Sequence, residues 1–168
     1  MNKVAIVIQR CHESVVGGSE SLAWQYANLL KKYYDIDILT TTAIDIKNWD
    51  NILNEGNEFK DGICIRRFNV TQTRTIYWHK LHEILLKEIN PIKAKKCGKS
   101  VKHLLIEWTT GLQEEFIRKQ GPYSANLIRF LKERSGDYIA VIFLTYLYPT
   151  TYFGTFYVPK YKSFLVLL

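Results

Sequence analysis

Apolar positions along the chain fall into two kinds of run. Val4-Ala5-Ile6-Val7-Ile8 and Tyr138-Ile139-Ala140-Val141-Ile142-Phe143-Leu144 are continuous and largely branched, as in strands buried on both faces of a parallel sheet. Tyr34-Asp35-Ile36-Asp37-Ile38-Leu39-Thr40-Thr41 reads as a second strand, Gly62 to Phe68 as a partly alternating third, and Phe164 to Leu168 as a last, buried one. Helical spacing marks the segment after Ser19 (Leu22, Ala23, Tyr26, Ala27, Leu29, Leu30), with Lys31 and Lys32 at its end. It returns in Tyr77 to Ile89 (Trp78, Leu81, Leu85, Ile89), in Leu104 to Lys119 (Trp108, Leu112, Phe116) and around Leu127, Phe130 and Leu131. Gln120-Gly121-Pro122 separates the last two helices, and Pro122 suits the first turn of the later one. Asn48 to Asp61 is polar and reads as loop with a short helical piece. This order predicts an α/β, Rossmann-like, three-layer domain with a mainly parallel sheet and helices on both faces. A chain of 168 residues holds one such core and not two, so residues 1–168 form a single domain.

The link between the first strand and the first helix carries the clearest chemistry. It runs from Gln9 through His12 to the pair Gly17-Gly18, and the helix starts at Ser19. A helix beginning directly after two glycines leaves backbone N–H groups pointing into the crevice above the strand. Glycine lets a ligand approach that backbone with no Cβ in the way, and a phosphate is the natural occupant. The plainer reading is a tight turn with Ser19 as the helix cap. A dinucleotide fingerprint needs Gly-x-Gly-x-x-Gly and an acidic residue closing the second strand. This loop has one glycine pair and the strand ends in Thr40-Thr41-Thr42, so NAD does not fit. Thr145, Tyr146 and Tyr148 follow the Tyr138–Leu144 strand, where they either touch a ligand or form a packed aromatic corner.

Composition narrows the partners rather than the fold. A net charge of +7 leans toward anions: nucleotide-sugars or phospholipid surfaces, with no motif for nucleic acid. Lys93, Lys95, Lys96, Lys99 and Lys102 read either as solvated surface or as contact with an anionic acceptor or membrane. The eleven tyrosines fill a core or line a sugar site. His79, His82 and Glu83 lack a third ligand and the spacing of a metal motif, so no metal is expected. Arg66 and Arg67 read as a solvated strand end, and Glu114-Glu115 as a solvent face. Cys11, Cys64 and Cys97 are odd in number and far apart, which fits reduced thiols in a cytoplasmic protein. No apolar run approaches the ~20 residues of a membrane span. The N-terminus leads into a strand rather than a signal peptide. The expected location is cytoplasmic, with peripheral contact at the inner membrane face left open.

The first strand, the Gly17-Gly18-Ser19-Glu20 turn, the Leu22-Ala23 start of the helix and the strand running into threonines together resemble the N-terminal domain of family 4 glycosyltransferases. These are retaining, nucleotide-sugar-dependent enzymes of the GT-B fold. Gln120-Gly121-Pro122 and Tyr146-Leu147-Tyr148-Pro149-Thr150-Thr151 resemble a bacterial subgroup of that family. The resemblance implies an acceptor-side half in which Gly17, Gly18 and Ser19 close on the donor diphosphate. It implies cleft or acceptor contacts for His12, Glu20, Gln120, Tyr146 and Tyr148, and a glycan or lipid-linked acceptor in polysaccharide biosynthesis. The donor is a substrate, and neither cofactor nor metal is implied. Family members carry a second domain for the nucleotide, with a two-glutamate signature that this sequence does not show. Many also place a catalytic histidine in this domain, and none lies here after His103, so the catalytic residue is unassigned. The chain is therefore expected to be inactive as a fragment, with a missing C-terminal domain or self-association covering its open face. Two other classes stay in view: a non-catalytic module binding an anionic partner or membrane, and an enzyme with a flavodoxin-like or NAD-type site.

Overall fold

The computed structural model describes residues 2–15, 17–93 and 99–167, and the side chains of residues 87–109 lie outside that description. The elements are β1 (Lys3–Arg10), α1 (Gly18–Leu30), β2 (Asp35–Thr41), β3 (Gly56–Lys60), β4 (Ile63–Phe68), α2 (Trp78–Lys93), α3 (Lys99–Gln120), α4 (Ala125–Arg134), β5 (Ala140–Leu144), α5 (Pro149–Gly154) and β6 (Ser163–Val166). The strands form one sheet in the order β3-β4-β2-β1-β5-β6. Neighbours pair in parallel except β3, which lies antiparallel to β4. The α/β class with a mainly parallel sheet is as expected.

Strand alternation sorts the core into two layers. Ile6 lies opposite Ile38 and Ile142, while Ala5 lies opposite Asp37 and Val141. On one face Val4, Ile6, Ile8, Ile36, Ile38, Ile63 and Ile65 pack beneath Ala23 and Ala27 of α1. The two alanines bring the helix close to the sheet. On the other face Ala5, Val7, Leu39, Val141 and Phe143 pack against Leu127, Ile128 and Leu131 of α4. Each fully buried Val, Leu, Ile or Phe among them stabilises the fold by roughly 1.5–3 kcal/mol relative to exposure.

Several expectations give way. The polar stretch before the third strand contains strand β3, which forms a hairpin with β4. Its turn is Asp61-Gly62, both at positive φ (50° and 79°), the geometry that twists with the strands. Pro122 stands outside α4; the helix is capped by Ser124, whose Oγ accepts the Leu127 N–H at 3.2 Å. Ser19 is not a cap either, because the N-cap of α1 is Gly17 and α1 starts at Gly18. β6 is an edge strand with Phe164 and Leu165 about half exposed rather than buried. Neither Arg66 nor Arg67 is a solvated strand end. Arg66 Nε donates to Asp37 at 2.9 Å, and Asp37 also accepts from the Tyr138 hydroxyl at 2.6 Å, which neutralises and satisfies a carboxylate buried in the sheet. Arg67 is buried and paired with Glu58. Glu114 is not simply solvated, since it accepts the Tyr152 hydroxyl of α5 at 3.0 Å.

Among the described residues no helix is long and apolar enough to cross a membrane. The basic run cannot be placed: Lys95 and Lys96 lie outside the described residues, as do the side chains of Lys93, Lys99 and Lys102.

Candidate functional site

From β1 the chain winds outward through β2 to β4, then crosses back to β5 and continues to β6 on the other side. The loops leaving the carboxyl ends of β1 and β5 therefore part in opposite directions and open a crevice between them, where ligands of open parallel sheets bind. The glycine pair stands on one side of this crevice and Thr145 on the other. Gln9, at the end of β1, links Thr145 to the first turn of α1: its Oε1 accepts the Thr145 hydroxyl at 3.0 Å, and its Nε2 donates to Ser19 Oγ and to Glu20 Oε1, each at 3.4 Å. Thr145 holds φ at +65°, which costs a β-branched residue about 1–2 kcal/mol. Strain of this kind gathers at functional sites.

At the start of α1 the two glycines do different work. Gly17 is extended and offers no side-chain cap; the first helical bond runs from the Ser21 N–H to the Gly17 carbonyl at 2.9 Å. The N–H groups of Gly18, Ser19 and Glu20 thus precede the helix ladder, at the positive end of its dipole. A Cβ on Gly17 would fall 2.1 Å from Oε2 of Glu20, so that glycine makes room for the glutamate. A Cβ on Gly18 would meet nothing within 4 Å. Gly18 has no steric reason within the protein to be glycine, and its exposed backbone faces open space.

Glu20 is 2% exposed, and its carboxylate is held inside. Arg10 Nε donates to Oε1 at 2.6 Å, and the Ser19 hydroxyl donates to Oε2 at 2.9 Å. The same guanidinium donates to the Ile44 carbonyl at 2.7 Å, tying the loop after β2 to the pair. Paired in this way, the glutamate does not cancel the positive end of the helix as a free anion would.

The remaining residues singled out from the sequence divide among three places. Gln120 and Tyr148 meet around Trp49: the Gln120 carbonyl accepts from Trp49 Nε1 at 3.0 Å and from Arg74 Nε at 3.2 Å, and Tyr148 packs edge-on to the Trp49 ring at 5.4 Å. Burial raises the Tyr148 hydroxyl pKa, with Arg10 and Arg74 opposing and Glu20 reinforcing it. Tyr148 is thus the neutral wall between the glycine loop and the Trp49 cluster, with Gln120 engaged through its backbone. Tyr146 is half exposed beside the crevice. His12, on the same loop as the glycine pair, has its Nδ1 2.8 Å from the Ser14 hydroxyl and lines two open clefts of about 430 and 300 Å³, the larger also lined by Val15 and by Ser21 of α1. His82 stacks on Trp78 and His79 meets the same ring edge-on, and among the described residues no group of three or more His, Cys, Asp or Glu could hold a metal.

Arg10, Trp49 and Arg74 escaped sequence reading. Arg10 had a signal, as a cation just before a glycine loop that also carries an acid. Trp49 had none, because its left-handed backbone (φ 66°) and its contact with residue 120 are long-range facts. No family model matches the chain, and neither does any curated protein or solved structure.

Proposed function

We propose that the chain is the acceptor-side half of a retaining glycosyltransferase, in which the N-terminus of α1 closes on the diphosphate of a nucleotide-sugar. The observation that carries this reading is Gly18: a glycine at an uncapped helix start, in the switch-point crevice, which nothing in the protein requires. The Gly18 and Ser19 N–H groups are fixed dipoles aimed where charge develops on the leaving diphosphate. Arg10, by neutralising Glu20, keeps that end of the helix receptive to an anion. Gly17 acts indirectly, by admitting the Glu20 carboxylate. In the resembled architecture the base and ribose of the donor rest on a second domain. This chain by itself then holds a donor weakly, through phosphate contacts, and transfers no sugar.

NMR titration tests the reading. UDP-, GDP- and ADP-sugars should shift the Gly18 and Ser19 amides about as far as pyrophosphate does, because only the diphosphate is gripped. A stronger response to FMN than to pyrophosphate would move the site into the flavin class. Turnover of a nucleotide-sugar by the purified chain would overturn the half-site reading.

A further inference from the structure

β3 is an outermost strand of the sheet, paired with β4 alone. Edge strands ordinarily protect themselves with charges, whereas an exposed apolar edge invites pairing with another chain. β3 reads Gly56-Asn57-Glu58-Phe59-Lys60, and none of its side chains is buried in the core. Phe59 nevertheless stands there 77% exposed. Folding gains almost nothing from this ring, and a partner that covered it would gain its apolar surface.

The hairpin fixes which backbone groups β3 has to offer. Lys60 and Ile63 close the two-residue turn, and Glu58 faces Ile65 and Gly56 faces Arg67 further along. In the alternation of an antiparallel ladder these are the pairs that exchange hydrogen bonds. The N–H and C=O of Asn57 and Phe59 therefore point away from β4, toward the open side. Glu58 and Lys60 share one face of the strand, where Glu58 pairs with Arg67 and Lys60 with Glu13. Phe59 lies on the other face.

We infer that β3 is a docking edge for a second copy of this chain, joined antiparallel about a two-fold axis at Phe59, so that the two sheets run into one. In this register the Phe59 N–H and C=O of each copy bond to those of the other, and the two rings lie side by side. On the opposite face Glu58 stands across from Lys60 of the second copy, twice by symmetry. With the pairs already present inside each copy, charge alternates along that face: Arg67, Glu58, the second copy's Lys60, the second copy's Glu13. The outward backbone groups also permit an axis at Glu58, but that register sets Glu58 directly against Glu58, and like charges in opposition disfavour it. A two-fold contact closes at two copies, and an edge of five residues makes the dimer weak and concentration-dependent. The glycine-loop crevice lies beyond β4 and β2, so this contact leaves it open and does not rest on the glycosyltransferase reading.

Sedimentation velocity on the whole chain from ~10 μM to ~1 mM covers the range of a weak contact. A monomer–dimer equilibrium should appear and should weaken as salt rises, because the charge ladder is partly exposed. Phe59→Thr, at an exposed position and still suited to a strand, should weaken dimerisation roughly tenfold or more, since each dimer loses two rings. Lys60→Glu sets like charges across the axis and should weaken it too, while Lys60→Arg should dimerise as the wild type does. Hydrogen exchange of the wild type reads the register without any variant: raising the concentration should slow the Phe59 amide and leave those of Glu58 and Lys60, already bonded to β4, unchanged. A chain that stays monomeric throughout, a dimer indifferent to Phe59→Thr, or a Phe59 amide that does not slow would overturn the docking edge. Growth past the dimer would overturn the two-fold, since a head-to-tail contact between unlike edges does not close.

Discussion

At the scale of single residues the account turns on groups whose environments do not match their exposure in an unfolded chain. Arg10 and Glu20 form a nearly buried pair, so Arg10→Met strands a carboxylate and should cost about 3–5 kcal/mol, read as a lower urea midpoint. Cys11 makes the pH argument. It is fully buried, and that burial pushes its thiol from 9.0 to about 12, with Arg67 opposing and Glu20 and Glu58 reinforcing the rise. A raised acid pKa means that the folded state keeps its proton after the unfolded state has lost one. The contribution is whole below about pH 9 and is lost progressively between pH 9 and 12, up to about 4 kcal/mol. Stability measured by denaturant titration should therefore fall across that window, and less steeply in Cys11→Ala after allowing for its lower starting point. Tyr138, whose pKa is raised by burial and by its bond to Asp37, adds a loss in the same direction at higher pH. Native Cys11 and Cys64, both buried, should alkylate only as the chain unfolds, which peptide mapping can follow.

Elements show how the hairpin β3–β4 holds the smaller cleft in place. Gly62 sits at φ +79° with open space where a Cβ would stand, so Gly62→Ala tests backbone strain without a clash. It should cost about 1–2 kcal/mol. A neutral result would show that the turn relaxes freely. The hairpin is also where sequence reading fell short. β1, β2, β4 and β5 were legible because they bury one or both faces, and α1 and α4 because their apolar stripes keep helical period. β3 reads Gly-Asn-Glu-Phe-Lys and is almost wholly exposed, so it has no hydrophobic pattern to find. Its one signal was the Asp61-Gly62 dipeptide, a hairpin turn between strands. At the site, the glycine pair was legible as the break between β1 and α1. The division of labour between Gly17 and Gly18 was not, because it depends on where the Glu20 side chain folds.

For the whole molecule, the sheet centre is the stable unit and the crevice lies at its carboxyl edge. Hydrogen exchange should be slowest for Ile6, Ile38 and Ile142, whose strands are paired on both sides, and fast along exposed β3. Equal protection of β3 and β1 would contradict the two-layer core. The central claim is that α1 begins uncapped so that an anion can complete it. The most direct measurement compares wild type, Gly18→Ala and Gly18→Val, reading thermal stability together with the Ser19 amide shift on titration with pyrophosphate. Gly18→Ala should raise stability by about 0.4–1 kcal/mol, since alanine restricts the unfolded chain and meets no clash here. The wild type should answer pyrophosphate saturably, Gly18→Ala weakly and Gly18→Val not at all, with all three folded. Pyrophosphate binding at Ser19 that Gly18→Val leaves intact, or no response there in the wild type, would contradict the account.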